Sequence, residues 1–509
     1  MEGFFQFSQI LWQLVSNPTN LLVVFVASLL GIGFGALPGL TATLGVALLT
    51  TLTYGFDVST ALLALLGLYV GAIYGGSYPS ILINIPGTAA AAASALDGYP
   101  MSQRGEGAKA LGLITSASAI GTFIGLLMLV FIAPFIASVA LQFTSFEFFL
   151  LALFGILISG TLTGEGGAVK GWIMGMLGLF LATIGRDSLQ FFPRFTFDQP
   201  ALDSGLDIVA VLIGAYGIPQ VIKVLSDTSE VKSKASASFD SMKQGFASVY
   251  VGVLEAFKYI KHVVRSALIG VGIGAVPGVG EDIAGWVSYS AAKKGSKNPE
   301  TFGKGNAEGL VSAETANNAC VGGAMIPLLT LGIPGSAPAA MLLGALILHG
   351  VNPGPTLTTE RPDFLLEITA IMMLATFAMF INGTILAQRV AKLLTVPATL
   401  FMPLVAVLCV LGSYALGLNV FNIYVMLPFG ILAYCLIEMK FPISPLVIGF
   451  ILGPMADESL RRALLVTEGS LFPLLQRPLA IVLLLIIVVM VLSQVPLINR
   501  MFKKKKVVF

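Results

Sequence analysis

Five stretches of the chain, residues 3–56, 58–96, 110–146, 315–359 and 393–437, contain no Asp, Glu, Lys or Arg. Each exceeds the ~20 predominantly apolar residues with which one helix crosses a bilayer, and several have room for a crossing and a partial one. In hydrocarbon every backbone N–H and C=O must be paired internally, so such runs fold as helices or close into barrels. Barrel strands read as ~10-residue segments alternating in polarity, whereas these runs are continuously apolar. The chain is therefore read as an all-α polytopic membrane protein with about twelve transmembrane helices. Its remaining charge could not cover an aqueous surface: 11% of 509 residues are charged, against about 25% in a soluble domain.

The charged and reactive residues exclude several function classes. A balance of 28 basic against 26 acidic residues leaves no electrostatic footprint for nucleic acid. Cys320, Cys409 and Cys435 sit in apolar segments and form no CxxC pair, so neither a disulfide frame nor a thiolate metal site is expected. With His262 and His349 as the only histidines, no HExxH zinc site exists. Residues 1–20 lack the basic start of a signal peptide and are read as an interfacial lead-in. The basic tail 500–509, with Lys503–Lys506, is read as cytoplasmic, in a bacterial inner membrane.

Two pairs of motifs repeat in order. Gly33-Phe-Gly35-Ala-Leu-Pro38-Gly39 returns as Gly272-Ile-Gly274-Ala-Val-Pro277-Gly278, a shift of 239. Gly75, Pro79 and Ile85-Pro86-Gly87-Thr88-Ala89 return as Gly323, Pro327 and Ile333-Pro334-Gly335-Ser336-Ala337, a shift of 248. Ordered matches separated by one insertion indicate duplication. The repeats are assigned to residues 21–222 and 266–499, joined by a cytoplasmic linker, 223–265. The connector between the motifs carries only Asp57 in the first copy, but Lys293, Lys294, Lys297 and Lys304 against Glu300 and Glu308 in the second. After the second motif the bias reverses, from Arg104 and Lys109 against Glu106 to Arg361 against Glu360 and Asp363. Because Lys and Arg mark cytoplasmic loops, the two copies are expected to have inverted topology. The acidic segment Arg186–Asp207 then faces the periplasm.

The repeated motifs are also where helices should break. Residues 266–292 lie between basic segments and are too few for two crossings, which need about 40. A re-entrant helix broken at Pro277-Gly278 fits, and Pro38-Gly39, Pro86-Gly87 and Pro334-Gly335 repeat the signal. Such breaks at membrane depth must be buried in protein or line a cavity, and in transporters with inverted halves they point to the binding site. Asn84, Pro86, Gly87, Thr88, Pro334, Gly335 and Ser336 are the expected substrate-binding residues. Gly39, Thr41, Gly278, Asn317, Asn318 and Thr330 are the expected cation-coupling residues, with Na+ as the only candidate metal. Glu281, Asp282 and Glu314 are acidic residues whose role is either capping or coordination. With basic residues almost absent from these segments, an anion would be held by helix N-termini, hydroxyls and amides. No cofactor is expected beyond Na+ or H+ as coupling ion.

Several longer stretches make the chain similar to a known family. Tyr74-Gly-Gly, Ser80-Ile-Leu-Ile-Asn84-Ile-Pro-Gly87, Ala95-Leu-Asp-Gly-Tyr-Pro-Met101, Glu314-Thr-Ala-Asn-Asn318, Gly322-Gly323, Ile326-Pro-Leu-Leu-Thr-Leu-Gly-Ile-Pro-Gly-Ser336 and Arg194-Phe-Thr-Phe-Asp198 resemble the large membrane subunit of the tripartite tricarboxylate transporters, over nearly the whole chain. The resemblance implies a non-enzymatic permease, driven by a sodium or proton gradient without ATP. It also implies two protein partners, a periplasmic solute-binding protein that delivers a small carboxylate and a small four-helix membrane subunit. Thr88 stands where the family often has an acidic residue, and Thr41 where it often has glycine, so citrate itself is not implied. The alternative is a channel or a structural membrane subunit of another transport complex.

Overall fold

The computed structural model describes residues 2–162, 167–226, 245–394, 396, 398–415 and 418–494. The Lys503–Lys506 tail and linker residues 227–244 lie outside these. The regular secondary structure of the described residues is helical apart from two paired two-residue strands, Gly185–Arg186 and Pro193–Arg194. Among the described residues, eight helical runs are long and apolar enough to cross a membrane. They are Pro18–Ala36, Val58–Ile83, Ala89–Ala140, Ser145–Leu162, Ile208–Ser226, Phe364–Ile385, Phe421–Glu438 and Ile443–Val466. The protein is thus a multi-pass membrane protein.

The first motif pair is carried by α1 (Glu2–Ser16), α2 (Pro18–Ala36), α3 (Ala42–Leu52), α4 (Val58–Gly75), α5 (Ser77–Ile83) and α6 (Ala92–Met101). Their starts follow from local chemistry. Asn17 accepts the Thr19 N–H at 3.0 Å with Pro18 in the first turn, and Asp57 accepts the Thr60 N–H at 2.9 Å, each pairing a donor that the helix leaves orphaned. After α7 (Gly107–Ala140) come α8 (Ser145–Leu162), α9 (Ala168–Leu181), α10 (Ile208–Ser226) and α11 (Gly245–Glu255). The second motif pair lies on α12 (Ile260–Gly274), α13 (Gly280–Gly295), α14 (Ala307–Leu331) and α15 (Ala337–Leu348).

The chain divides into two compact units, residues 1–137 with 209–431 and residues 138–208 with 432–509. In the first unit, glycines bring paired helices to backbone contact. Gly67 lies against Val24, Gly71 against Ser28 and Gly75 against Ile32, where a Cβ would meet the carbonyl of the facing helix. These pairs advance together along both helices, so α2 and α4 are parallel. The intervening α3 must therefore run back, so the chain reverses at the Pro38-Gly39 break. Gly270 against Ala316 and Gly274 against Cys320 make α12 and α14 parallel in the same way, with α13 returning. Contacts between the copies are reciprocal. The second copy's α13 packs on the Ala89–Ala91 turn and α6 of the first, and the first copy's α3 packs on α15 of the second, while α4 packs on α14.

In the second unit, α8, α9 and Ile443–Val466 are joined through Gly160 on Gly171, Gly178 on Leu446 and Gly449 on Gly175. Pro478–Ser493 packs on α8. The segment that carries the strand pair is pinned by charge. Arg461 bonds Asp187, Arg194 bonds Asp457 at 2.9 Å, and Arg186 pairs with Asp203 at 2.7 Å. The Arg461 hydrogen bond holds the Asp187 carboxyl below the ordinary carboxylate range.

Candidate functional site

Both second motifs end their helices by the same device. The α5 helix stops at Asn84 in the left-handed conformation (φ 57°), and Ile85 N–H bonds the Pro79 carbonyl at 3.2 Å. The α14 helix stops at Gly332 (φ 70°), with Ile333 N–H on the Pro327 carbonyl at 3.2 Å. These are Schellman-type ends, in which the left-handed residue is normally glycine and sometimes asparagine. Asn84 thus has a backbone reason for its identity, independent of any ligand.

Past these ends the chain doubles back onto the first motif of its own copy. A Cβ on Gly87 would collide with the Gly35 carbonyl, and one on Gly335 with the Gly274 carbonyl. Gly278 N–H also bonds the Pro334 carbonyl at 3.2 Å. The two breaks in each copy therefore lie side by side. Gly39 (φ 96°) and Gly278 (φ 73°) occupy left-handed conformations that only glycine adopts freely. Thr41 caps α3 by accepting the Leu44 N–H at 3.2 Å, and Ser336 caps α15 by accepting the Ala339 N–H at 3.3 Å. The copies differ in exposure: Asn84 and Pro86 are exposed, whereas Pro334, Gly335 and Ser336 are buried.

Two buried carboxylates organise the surroundings. Glu281, in the first turn of α13, accepts a hydrogen bond from Tyr69, whose hydroxyl lies 2.9 Å from Ser336 Oγ. Asp282 beside it is exposed and faces the Ala90 backbone N–H. Glu314 on α14 is fully buried and accepts from the hydroxyls of Ser77, Ser94 and Ser118, the last at 3.3 Å. Asn318 donates to Ser118 Oγ at 2.8 Å and to the Glu314 carbonyl at 3.1 Å. Thr330, expected to coordinate a cation, instead bonds the Ile326 carbonyl of its own helix at 2.7 Å. A third buried carboxylate, Asp97, accepts the backbone N–H groups of Gly303, Gly305 and Asn306 and the Tyr289 hydroxyl, all within 2.9 Å.

The repeat relates two of these groupings. The 248 shift matches Tyr69 with Asn317 and Thr88 with Ser336, and the 239 shift matches Ala42 with Glu281. Tyr69, Glu281 and Ser336 are hydrogen-bonded together. In the matching set, both amide atoms of Asn317 and the Thr88 hydroxyl are buried with no partner among the described residues, and alanine stands in place of the carboxylate. Tyr69, Ser77, Ser94 and Ser118 were not expected from sequence. A lone hydroxyl in an apolar run most often bonds its own helix, and only the packing of separate helices brings these together.

One relative agrees in length as well as residues. An uncharacterised 52.8 kDa protein of the TAR-I ttuC′ 3′ region of Agrobacterium vitis is 36% identical over 466 residues, 91% of each chain. A second protein, of the TAR-II ttuC′ 3′ region of the same organism, is 38% identical over 208 residues, 41% of this chain and 86% of its own. No solved structure matches. The family profile described as Tripartite tricarboxylate transporter TctA family matches residues 21–448, and the chain belongs to that family.

Proposed function

We propose that the protein is the large permease subunit of a binding-protein-dependent system that takes up small organic carboxylates, of the tri- or dicarboxylate class, on a sodium or proton gradient. The observation that carries this reading is the unpartnered set, Asn317 with Thr88. A buried polar group left unpaired costs about 1–3 kcal/mol, so two such residues, Thr88 at a helix break and Asn317 within α14, favour a ligand that completes them. In the matching set the acceptor is a carboxylate, Glu281. Where Ala42 omits it, a substrate carboxylate supplies the same chemistry. The exposed tip at Asn84 and Pro86 gives this half an approach, while the buried Pro334–Ser336 tip closes the other.

Reciprocal packing of α3, α6, α13 and α15 supports inverted repeats and alternating access by motion of the elements that carry the breaks. The complete system includes a periplasmic solute-binding protein and a small four-helix membrane subunit, in a bacterial inner membrane. The test is uptake of labelled di- and tricarboxylates into proteoliposomes containing both membrane subunits and loaded binding protein. Uptake should collapse with a sodium or proton ionophore and persist without ATP at a maintained gradient. Uptake that ignores both gradients would reject the reading.

A further inference from the structure

Glu314 is a carboxylate without a counter-charge. It is fully buried on α14, and none of the ion pairs among the described residues includes it. An isolated ion in such a setting is penalised by several kcal/mol unless something neutralises it. What surrounds it is oxygen. The hydroxyls of Ser77 on α5 and Ser94 on α6 converge on one carboxylate oxygen, Oε1, and Ser118 on α7 lies against the other. Four helices thus contribute to one point, and no nitrogen cation is among the contributors.

Asn318 adds an independent sign of a missing ligand. Its amide nitrogen is held by Ser118 Oγ and the Glu314 carbonyl, while its Oδ1 is buried and has no partner. A proton on Glu314 would remove the charge but would leave that oxygen unsatisfied. A hard monovalent cation uses all of these atoms, because such ions are bound by carboxylate, hydroxyl and amide oxygens. We infer that Glu314, the hydroxyls of Ser77, Ser94 and Ser118, and the amide oxygen of Asn318 form a sodium site.

On binding, the serine hydroxyls turn their protons away from Glu314, toward carbonyls of their own helices, and present lone pairs to the ion. The 248 shift sets Leu66 and Val70, both buried, at the positions of Glu314 and Asn318. The other copy therefore has no equivalent at the matched positions. The ion would fix α14, which carries Asn317, against α6, whose leading turn begins at Thr88. Its coupling to carboxylate transport rests on the function proposed above; its binding does not.

The test uses the full-length protein purified in detergent without substrate, with the thermal unfolding midpoint followed as NaCl replaces choline chloride at constant ionic strength. Saturable stabilisation by Na+ and none by K+ is expected, absent in Glu314→Gln. Ser94→Ala and Asn318→Ala, which retain the carboxylate if Glu314→Gln fails to fold, should each raise the half-maximal Na+ concentration by about tenfold or more. Equal response to Na+ and K+ or choline, or an unchanged Na+ response in all three variants, would overturn the site. Sodium stabilisation in a protein that transports no carboxylate would leave the site standing and refute only the transport reading.

Discussion

Glu281 and Ala42 occupy matched places in the two copies, and the difference between them is a direct handle on the proposed binding site. If the substrate carboxylate takes the place that Ala42 leaves vacant, a carboxylate added there should fill it from within. Ala42→Glu is expected to abolish substrate binding measured by isothermal calorimetry while leaving the thermal unfolding midpoint equal or higher. Ala42→Gln, with the same length and no charge, should weaken binding less. Equal affinity in wild type and Ala42→Glu would show that the unpartnered Asn317 and Thr88 face something else. Ser336→Ala breaks the bond to Tyr69 and the α15 cap, a loss of about 1–2 kcal/mol readable as a lower unfolding midpoint. At this scale the sequence was informative where a residue type is improbable in its setting. Asn317, Asn318, Glu281 and Glu314 stood out because amides and carboxylates in hydrocarbon demand partners. Tyr69 and the three serines did not, since a hydroxyl can satisfy itself within its own helix, as Thr330 does.

The helix breaks were legible because proline and glycine encode them locally. The return of α13 also followed from length, since residues 266–292 are too short to cross twice, and that of α3 from its matching Pro38-Gly39 break. What spacing could not show is that Asn84 serves as a left-handed cap, because its role appears only beside Gly332 in the folded copy. Asn84→Gly should therefore preserve the α5 end, whereas Asn84→Val should lower stability by about 1–2 kcal/mol, checked by thermal unfolding. If both variants abolish uptake at unchanged stability, Asn84 contacts substrate as well. The strand-pair segment of the second unit offers a separate expectation from charge. Asp187 titrates below its unfolded value because Arg461 bonds it, so its stabilising contribution is present above about pH 4 and is lost as pH falls through the lower folded value. Limited proteolysis between residues 186 and 207 should therefore increase on acidification, and Arg461→Ala should produce the same increase at neutral pH. Unchanged cleavage in Arg461→Ala would mean that Arg194 and Asp457 hold the segment without it.

At the scale of the molecule, the segments that charge bias groups together are also in contact. The sequence places the Asp57 connector and the segment after α15 on one side, by their acidic bias, and Thr53 Oγ1 does lie 3.4 Å from His349 Nε2. It places the 293–308 connector and the Arg104 region on the other, and there Asp97 binds residues 303–306 while Arg104 donates to the Gly305 carbonyl at 2.8 Å. Each connector thus meets the segment that follows the second motif of the opposite copy, a contact that the proposed inverted topology would also make. The two discontinuous units were not legible, because tertiary contacts alone join residues 138–208 to 432–509. Sidedness is measurable by cysteine labelling. With Cys320, Cys409 and Cys435 replaced, Asp57→Cys should react with an impermeant maleimide added to intact cells, and Lys297→Cys only after the inner face is opened. Both positions lie in connectors rather than at the breaks, so uptake in the unlabelled variants serves as the check on folding. Reaction of both from the same face would remove the inversion, and with it the reason to treat the two Pro-Gly breaks as halves of one site.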